Sequence, residues 1–218
     1  MWALYGNDDL KGWETLPTHK RGIERGGRIQ VPIQAGEMGF SYHRRMVNPE
    51  GFMFGAAYPM QVTFPEDRFG LDGKWDIGVG VWFEGTVTRR GFDAPGPRYL
   101  RLLTLGTDYT FDLGNGPHLL FEQFVRDEAE HVFGPGKGDW LSALSIDYPF
   151  SLRDKVTAIV YYDWDSSEWL HLLQWRRTYG QWQVHVSAFW NPDRTTLTQD
   201  TAMISSSAGK GVQLMLVF

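Results

Sequence analysis

Hydrophobic and polar residues alternate with a period of two along most of this chain, the pattern of strands that keep one face apolar. The longest such run is Trp75–Val87. Trp75, Ile77, Val79, Val81, Phe83 and Val87 share one face, opposite Asp76, Gly78, Gly80, Trp82, Glu84 and Thr86. Gln181–Asn191 repeats the design, with Trp182, Val184, Val186, Ala188 and Trp190 against Gln181, Gln183, His185, Ser187 and Asn191. Further strands are predicted at Met1–Tyr5, Arg28–Gln34, Glu37–His43, Phe54–Phe64, Arg98–Asp112, Trp140–Phe150, Val156–Trp164 and Gly211–Phe218. Trp169–Thr178 is strand-like without a clear apolar face. His118–Val132 fits a strand or a helix, and the hairpin signal Asn115-Gly116 just before it favours the strand.

The connections alternate in length. Gln34-Ala35-Gly36, Leu113–Gly116, Ser151–Asp154 and Thr178–Gln181 read as tight turns, and Asp165–Glu168 as a further short connection. His43–Met53, Arg90–Pro97, Asp127–Gly138 and Pro192–Lys210 read as longer polar loops, and Pro65–Lys74 as a connection that bends at Asp72-Gly73. Pro59 lies inside a predicted strand, where its missing N–H requires a bulge.

Composition narrows the choice. The 218 residues suffice for one β domain, taken as a single unit over 1–218. Ten Trp and nine Tyr suit a protein whose rings lie at a membrane–water boundary. Cys is absent, so a disulfide framework or thiolate metal site is excluded. A net charge of −5 argues against a nucleic-acid partner. No stretch reaches the roughly 18 apolar residues of a transmembrane helix, but alternating barrel strands do not need one. Met1–Asp9 lacks the basic and apolar regions of a signal peptide, so the expectation is a mature form or the C-terminal part of a longer protein.

The C-terminus is the sharpest motif. Val212, Leu214, Leu216 and Phe218 fall on one face, and an aromatic residue ends the chain. This ending resembles the C-terminal signature of bacterial outer-membrane β-barrel proteins, and Arg68–Trp75 with the Gly-Val-Gly-Val run after it is similar to porin-like members of that group. The resemblance implies an antiparallel up-and-down transmembrane β-barrel of about twelve strands, or part of a larger one. It also implies a bacterial outer-membrane location, with membrane lipid and the barrel-assembly machinery as partners; the latter reads the Val212, Leu214, Leu216, Phe218 segment.

In such a barrel the polar face lines the lumen. Glu37, Asp76, Trp82, Glu84, Asp108, Glu122, Asp147, Asp163 and His185 are the principal lumen candidates, with His43, Gln61 and Gln183 beside them. Acids outnumber bases, so a water-filled lumen would favour cations. Trp82 would serve as a constriction, a stacking platform or plain packing. Function is therefore expected to be passive diffusion of small hydrophilic solutes, with no cofactor and no metal site. An oligomer is compatible with this. Alternatives are a barrel hydrolase acting on lipid or peptide, a plugged structural or adhesive barrel, and a soluble β-barrel or sandwich. His185 and Ser187 with Asp163, and Asp127, Glu130 and His131 in a loop, are the nearest approaches to catalytic sets, and chance proximity or solvation explains both better. No catalytic residue is assigned.

Overall fold

The computed structural model describes residues 1–6, 17–48, 63–91, 96–192 and 209–218. The described residues form twelve strands: β1 (Trp2–Tyr5), β2 (Ile23–Ile33), β3 (Gly36–Val47), β4 (Phe64–Asp76), β5 (Gly80–Arg90), β6 (Tyr99–Thr110), β7 (His118–Ala129), β8 (Lys137–Pro149), β9 (Asp154–Asp163), β10 (Glu168–Tyr179), β11 (Trp182–Trp190) and β12 (Lys210–Val217). They form one sheet in chain order, an antiparallel meander. Among the described residues there is no helix. The shortest of β2 to β11 is β11, with 9 residues, and the longest are β4 and β8, with 13. A tilted strand of about 9–11 residues crosses a hydrocarbon layer.

The chain divides into two compact units. The first comprises Met1–Trp75, Phe83–Leu103 and Val125–Gly138; the second comprises Asp76–Trp82, Thr104–Phe124 and Asp139–Phe218.

One predicted boundary is corrected. The run Trp75–Val87 is not a single strand. A tight turn at Ile77–Val79 separates β4 from β5, with the Ile77 N–H donating to the Val79 carbonyl at 3.1 Å. Gly78 takes a φ of +94°, and its N–H donates to the Asp76 carboxylate at 3.3 Å. Such a backbone favours glycine, and Asp two residues earlier is the usual side-chain support for a turn. The segment Pro65–Lys74, expected as a bent connection, is the body of β4. The predicted strand Phe54–Phe64, including Pro59, lies outside the described residues except for Thr63 and for Phe64, which opens β4. His118–Ala129 is a strand, and the helical alternative is set aside.

The tight turns have local causes. Gln34 (φ 48°), Gly114 (φ 59°), Gly116 (φ 75°) and Gly180 (φ 56°) supply left-handed positions at the β2–β3, β6–β7 and β10–β11 connections. At β9–β10 the Asp163 carboxylate accepts the N–H groups of Asp165 (2.9 Å) and Ser166 (3.3 Å), and Ser167 adopts φ 57°.

Burial is inverted relative to a water-soluble domain. Val47, Phe64, Leu100 and Ala129 are the only hydrophobic side chains buried among the described residues, whereas Glu24, Arg45, Glu66, Thr88 and Arg90 are buried polar ones. Ile29, Phe40, Leu71, Leu105, Leu144, Leu173 and Leu214 are exposed. Register explains the sorting. Ile29 stands opposite Phe40, and Phe40 opposite Leu71, so one face of β2–β4 is continuous in apolar residues. Leu144 stands opposite Val160, Ala158 opposite Leu173, and Val186 opposite Leu214, which does the same for β8–β12. The apolar face of β10 therefore carries Trp169, Leu173 and Trp175, which alternation alone left unassigned.

Candidate functional site

Period-two geometry places the described lumen candidates Glu37, His43, Asp76, Trp82, Glu84, Asp108, Glu122, Asp147, Asp163, Gln183 and His185 on the face opposite the exposed apolar one. Gln61 lies outside the described residues. The two units treat this polar face differently.

In the first unit, arginine–carboxylate pairs dominate. Arg28 on β2 makes a two-pronged contact with Asp72 on β4, with Nη1–Oδ1 at 2.6 Å and Nη2–Oδ2 at 2.7 Å. It does so across β3, because Gly39 leaves room beneath it. Glu37 accepts from Gln30 at 2.5 Å and lies 3.5 Å from Lys74. Further along the strands, Arg45 Nε donates to Glu66 at 2.7 Å and Arg45 Nη1 to Thr18 Oγ1 at 3.2 Å. Arg45 and Glu66 are only 2% and 4% exposed, so neither charge is tolerable without the other. His43 is 3.1 Å from the buried Glu24, and Arg90 and Arg126 flank Glu128 at 3.7 and 3.2 Å. Residues 17–19 close over part of this cluster through a bridge between Thr18 and Val47.

In the second unit, acids meet mostly neutral or weakly basic partners. The Trp82 indole N–H donates to Glu122 at 3.3 Å, and the ring lies over Gly106, where a Cβ would collide with it. Asp108 contacts His118 Nε2 at 2.8 Å. Asp147 takes the Thr157 hydroxyl and lies 3.0 Å from Lys155. Trp82 is thus held by packing and one hydrogen bond on the polar face. Near the β8–β9 turn an open concavity of about 610 Å³ is lined by Asn115, the Phe150–Lys155 segment, Arg176 and Thr178.

The catalytic alternatives are not assembled. His185 Nε2 lies 3.3 Å from Gln183 Oε1, Ser187 accepts from Gln174 at 3.1 Å, and Asp163 supports its own turn. Asp127 is held by Arg101, whose Nη1 also donates to the carbonyls of Val132 (2.8 Å) and Gly134 (3.0 Å). Among the described residues no group of three or more His, Asp or Glu side chains is arranged to hold a metal ion.

The exposed face of the second unit carries two aromatic clusters separated by an aliphatic band. At one end Tyr162 contacts Trp164 (4.8 Å between centroids) and Trp169 (4.5 Å), and His171 stacks on Trp190 at 4.9 Å. At the other end Tyr109 meets Phe111 (4.9 Å), Tyr148 meets Phe150 (4.8 Å), and Trp182 meets the terminal Phe218 (5.1 Å). Trp182 and Trp190 close the two ends of a single strand, β11. Eight residues of strand rise correspond to roughly 27 Å along the chain, or about 20 Å once tilted.

The residues that sequence reading missed are Arg28, Arg45, Glu66 and Asp72 on the polar face. Arg28 and Arg45 follow from extending the alternation of the flanking strands; Glu66 and Asp72 needed β4 to be recognised.

The class defined here is an all-β protein built as a single antiparallel meander with its apolar side chains gathered on one exposed face. Compared with known protein families, curated proteins and solved structures, the chain matches none. Its likeness to porin-like proteins rests on strand pattern and the terminal residues alone.

Proposed function

We propose that this chain is a transmembrane β-barrel of the bacterial outer membrane that conducts small hydrophilic solutes, with a preference for cations. The carrying observation is the inversion of burial. Isoleucine, leucine and phenylalanine side chains are exposed in register across neighbouring strands, while the buried charged side chains, Glu24, Arg45, Glu66 and Arg90 among them, are turned to the other face. A contiguous apolar surface of this extent is unfavourable in water and favourable against hydrocarbon. The paired aromatic clusters support the same reading, since Trp and Tyr settle at both edges of a bilayer. The Val212, Leu214, Leu216, Phe218 face would then be the segment read by the assembly machinery.

A polar lining supports conduction, and its acids support cation preference. Among the described residues, Glu122 and Asp108 in the second unit are not matched by lysine or arginine in the way Asp72 and Glu66 are. The test is conductance of the detergent-purified full chain in planar bilayers with a salt gradient. Discrete channels with a reversal potential on the cation side are expected. Absence of conductance from protein shown to be inserted would overturn the channel and leave a plugged structural barrel.

A further inference from the structure

We infer that the exposed face of the first unit carries a binding row for the phosphate groups of membrane lipids, formed by Arg25, Arg44 and Arg89 around Asp67. This rests on the membrane reading above. The row follows from register. Arg25 on β2 stands directly opposite Arg44 on β3, and Arg44 opposite Asp67 on β4. The Gly91 N–H donates to the Pro65 carbonyl at 2.8 Å. In an antiparallel ladder such a bond joins residues that face each other, so counting two back along β5 sets Arg89 opposite Asp67.

Four adjacent strands therefore present three guanidinium groups and one carboxylate in a line roughly 14 Å long. Alternation puts all four on the apolar, outward face. The next row toward the β2–β3 turn holds Tyr42 and Phe69, followed by Ile29, Phe40 and Leu71.

Like charges directly opposite each other are unfavourable, and Arg25 and Arg44 form such a pair. The acid in the row does not relieve Arg25. Asp67 Oδ1 already accepts from Arg44 Nη1 at 3.2 Å and from the Tyr42 hydroxyl at 2.7 Å. Arg25 and Arg89 are exposed, and the Arg44 side chain is 39% exposed. A net positive row set directly beside an apolar band has the order of charges that a lipid presents, with phosphate above acyl chains. The planar guanidinium suits two-pronged contact with phosphate oxygens.

The experiment uses the full chain reconstituted into vesicles containing equal phosphatidylglycerol and phosphatidylcholine. The protein is then extracted in mild detergent, and the retained lipids are counted by native mass spectrometry. Wild type should retain phosphatidylglycerol over phosphatidylcholine by roughly tenfold or more. R25Q/R89Q leaves the Arg44–Asp67–Tyr42 contacts intact and should lose most of that preference while keeping its strand signal in circular dichroism. Inorganic phosphate added at millimolar concentration should not displace the lipid, because it brings no acyl chains to the apolar rows; displacement would show a free-phosphate site and overturn the lipid assignment. Equal preference in wild type and R25Q/R89Q would also overturn it. So would a wild-type dimer without lipid preference that R25Q/R89Q converts to monomer, since the row would then be a contact between copies. Failure of wild type to enter vesicles at all would instead remove the membrane reading beneath the proposal.

Discussion

The two units share one construction rule and apply it to different chemistry. In the first, the polar face is knit by arginines: Arg28 to Asp72, Arg45 to Glu66, Arg90 to Glu128. In the second, acids are satisfied by Trp82, His118, Thr157 and Lys155. The outward faces differ in parallel, with an arginine row at Arg25, Arg44 and Arg89 in one unit and stacked Trp, Tyr and His rings in the other. Alternation alone determines which face is apolar. The chemistry of the polar face depends on which charges register brings together, so the units differ in their side-chain pairing while sharing one strand architecture.

The largest expected effect tests the buried pairing of the first unit. R45A leaves Glu66 buried with Arg68, 3.5 Å away, as its remaining ion-pair partner among the described residues, and should cost about 3–5 kcal/mol in denaturant unfolding of the detergent-solubilised protein. The double substitution R45M/E66L should recover most of that loss. A cost below about 1 kcal/mol for R45A would mean that the pair is screened by water.

Next comes the glycine under Trp82. G106A places a methyl group where the indole lies, and should cost about 1–3 kcal/mol and shift the emission of that tryptophan. The shift can be read in a W82F background as its absence. In the second unit, E122Q with D108N should lower the cation-to-anion permeability ratio about twofold or more, whereas D72N, whose charge is matched by Arg28, should change it less. Equal effects from both would erase the electrostatic contrast between the units. The smallest effect is expected at the aromatic clusters: W190A removes the stack on His171 and should cost about 0.5–1.5 kcal/mol beyond lost burial.

Much of this was legible in the sequence, and the exceptions have physical reasons. The faces of β11 and β12 were readable because Trp182, Val184 and Val186, like Val212, Leu214 and Leu216, alternate without interruption. The β4–β5 boundary was not. Ile77 and Val79 continue the apolar alternation straight through the turn, so only Asp76 and Gly78 betrayed it. β4 itself was hidden because Glu66, Asp67, Arg68, Asp72 and Lys74 give it a charge density typical of loops. Four of those five, Glu66, Asp67, Asp72 and Lys74, pair with charges on β2 or β3, visible only once register is known. The candidate acids share the face opposite the apolar one through parity, but parity carries no information about their partners. Thus Asp108 meeting His118, and Asp163 closing its own turn, required coordinates.

The central claim is that one face of each strand meets hydrocarbon and the other meets water. The chain has no cysteine, so single cysteines carrying a nitroxide can be placed at will. Labels at 29, 71, 144 and 214 on the apolar face, and at 30, 72, 147 and 213 on the polar one, can be compared in vesicles by collision with oxygen and with a nickel chelate. The account predicts high oxygen and low nickel accessibility at the first four sites, and the reverse at their neighbours. Accessibility to nickel at both sets, or tight burial of the first set in a protein that stays in solution without detergent, would contradict it.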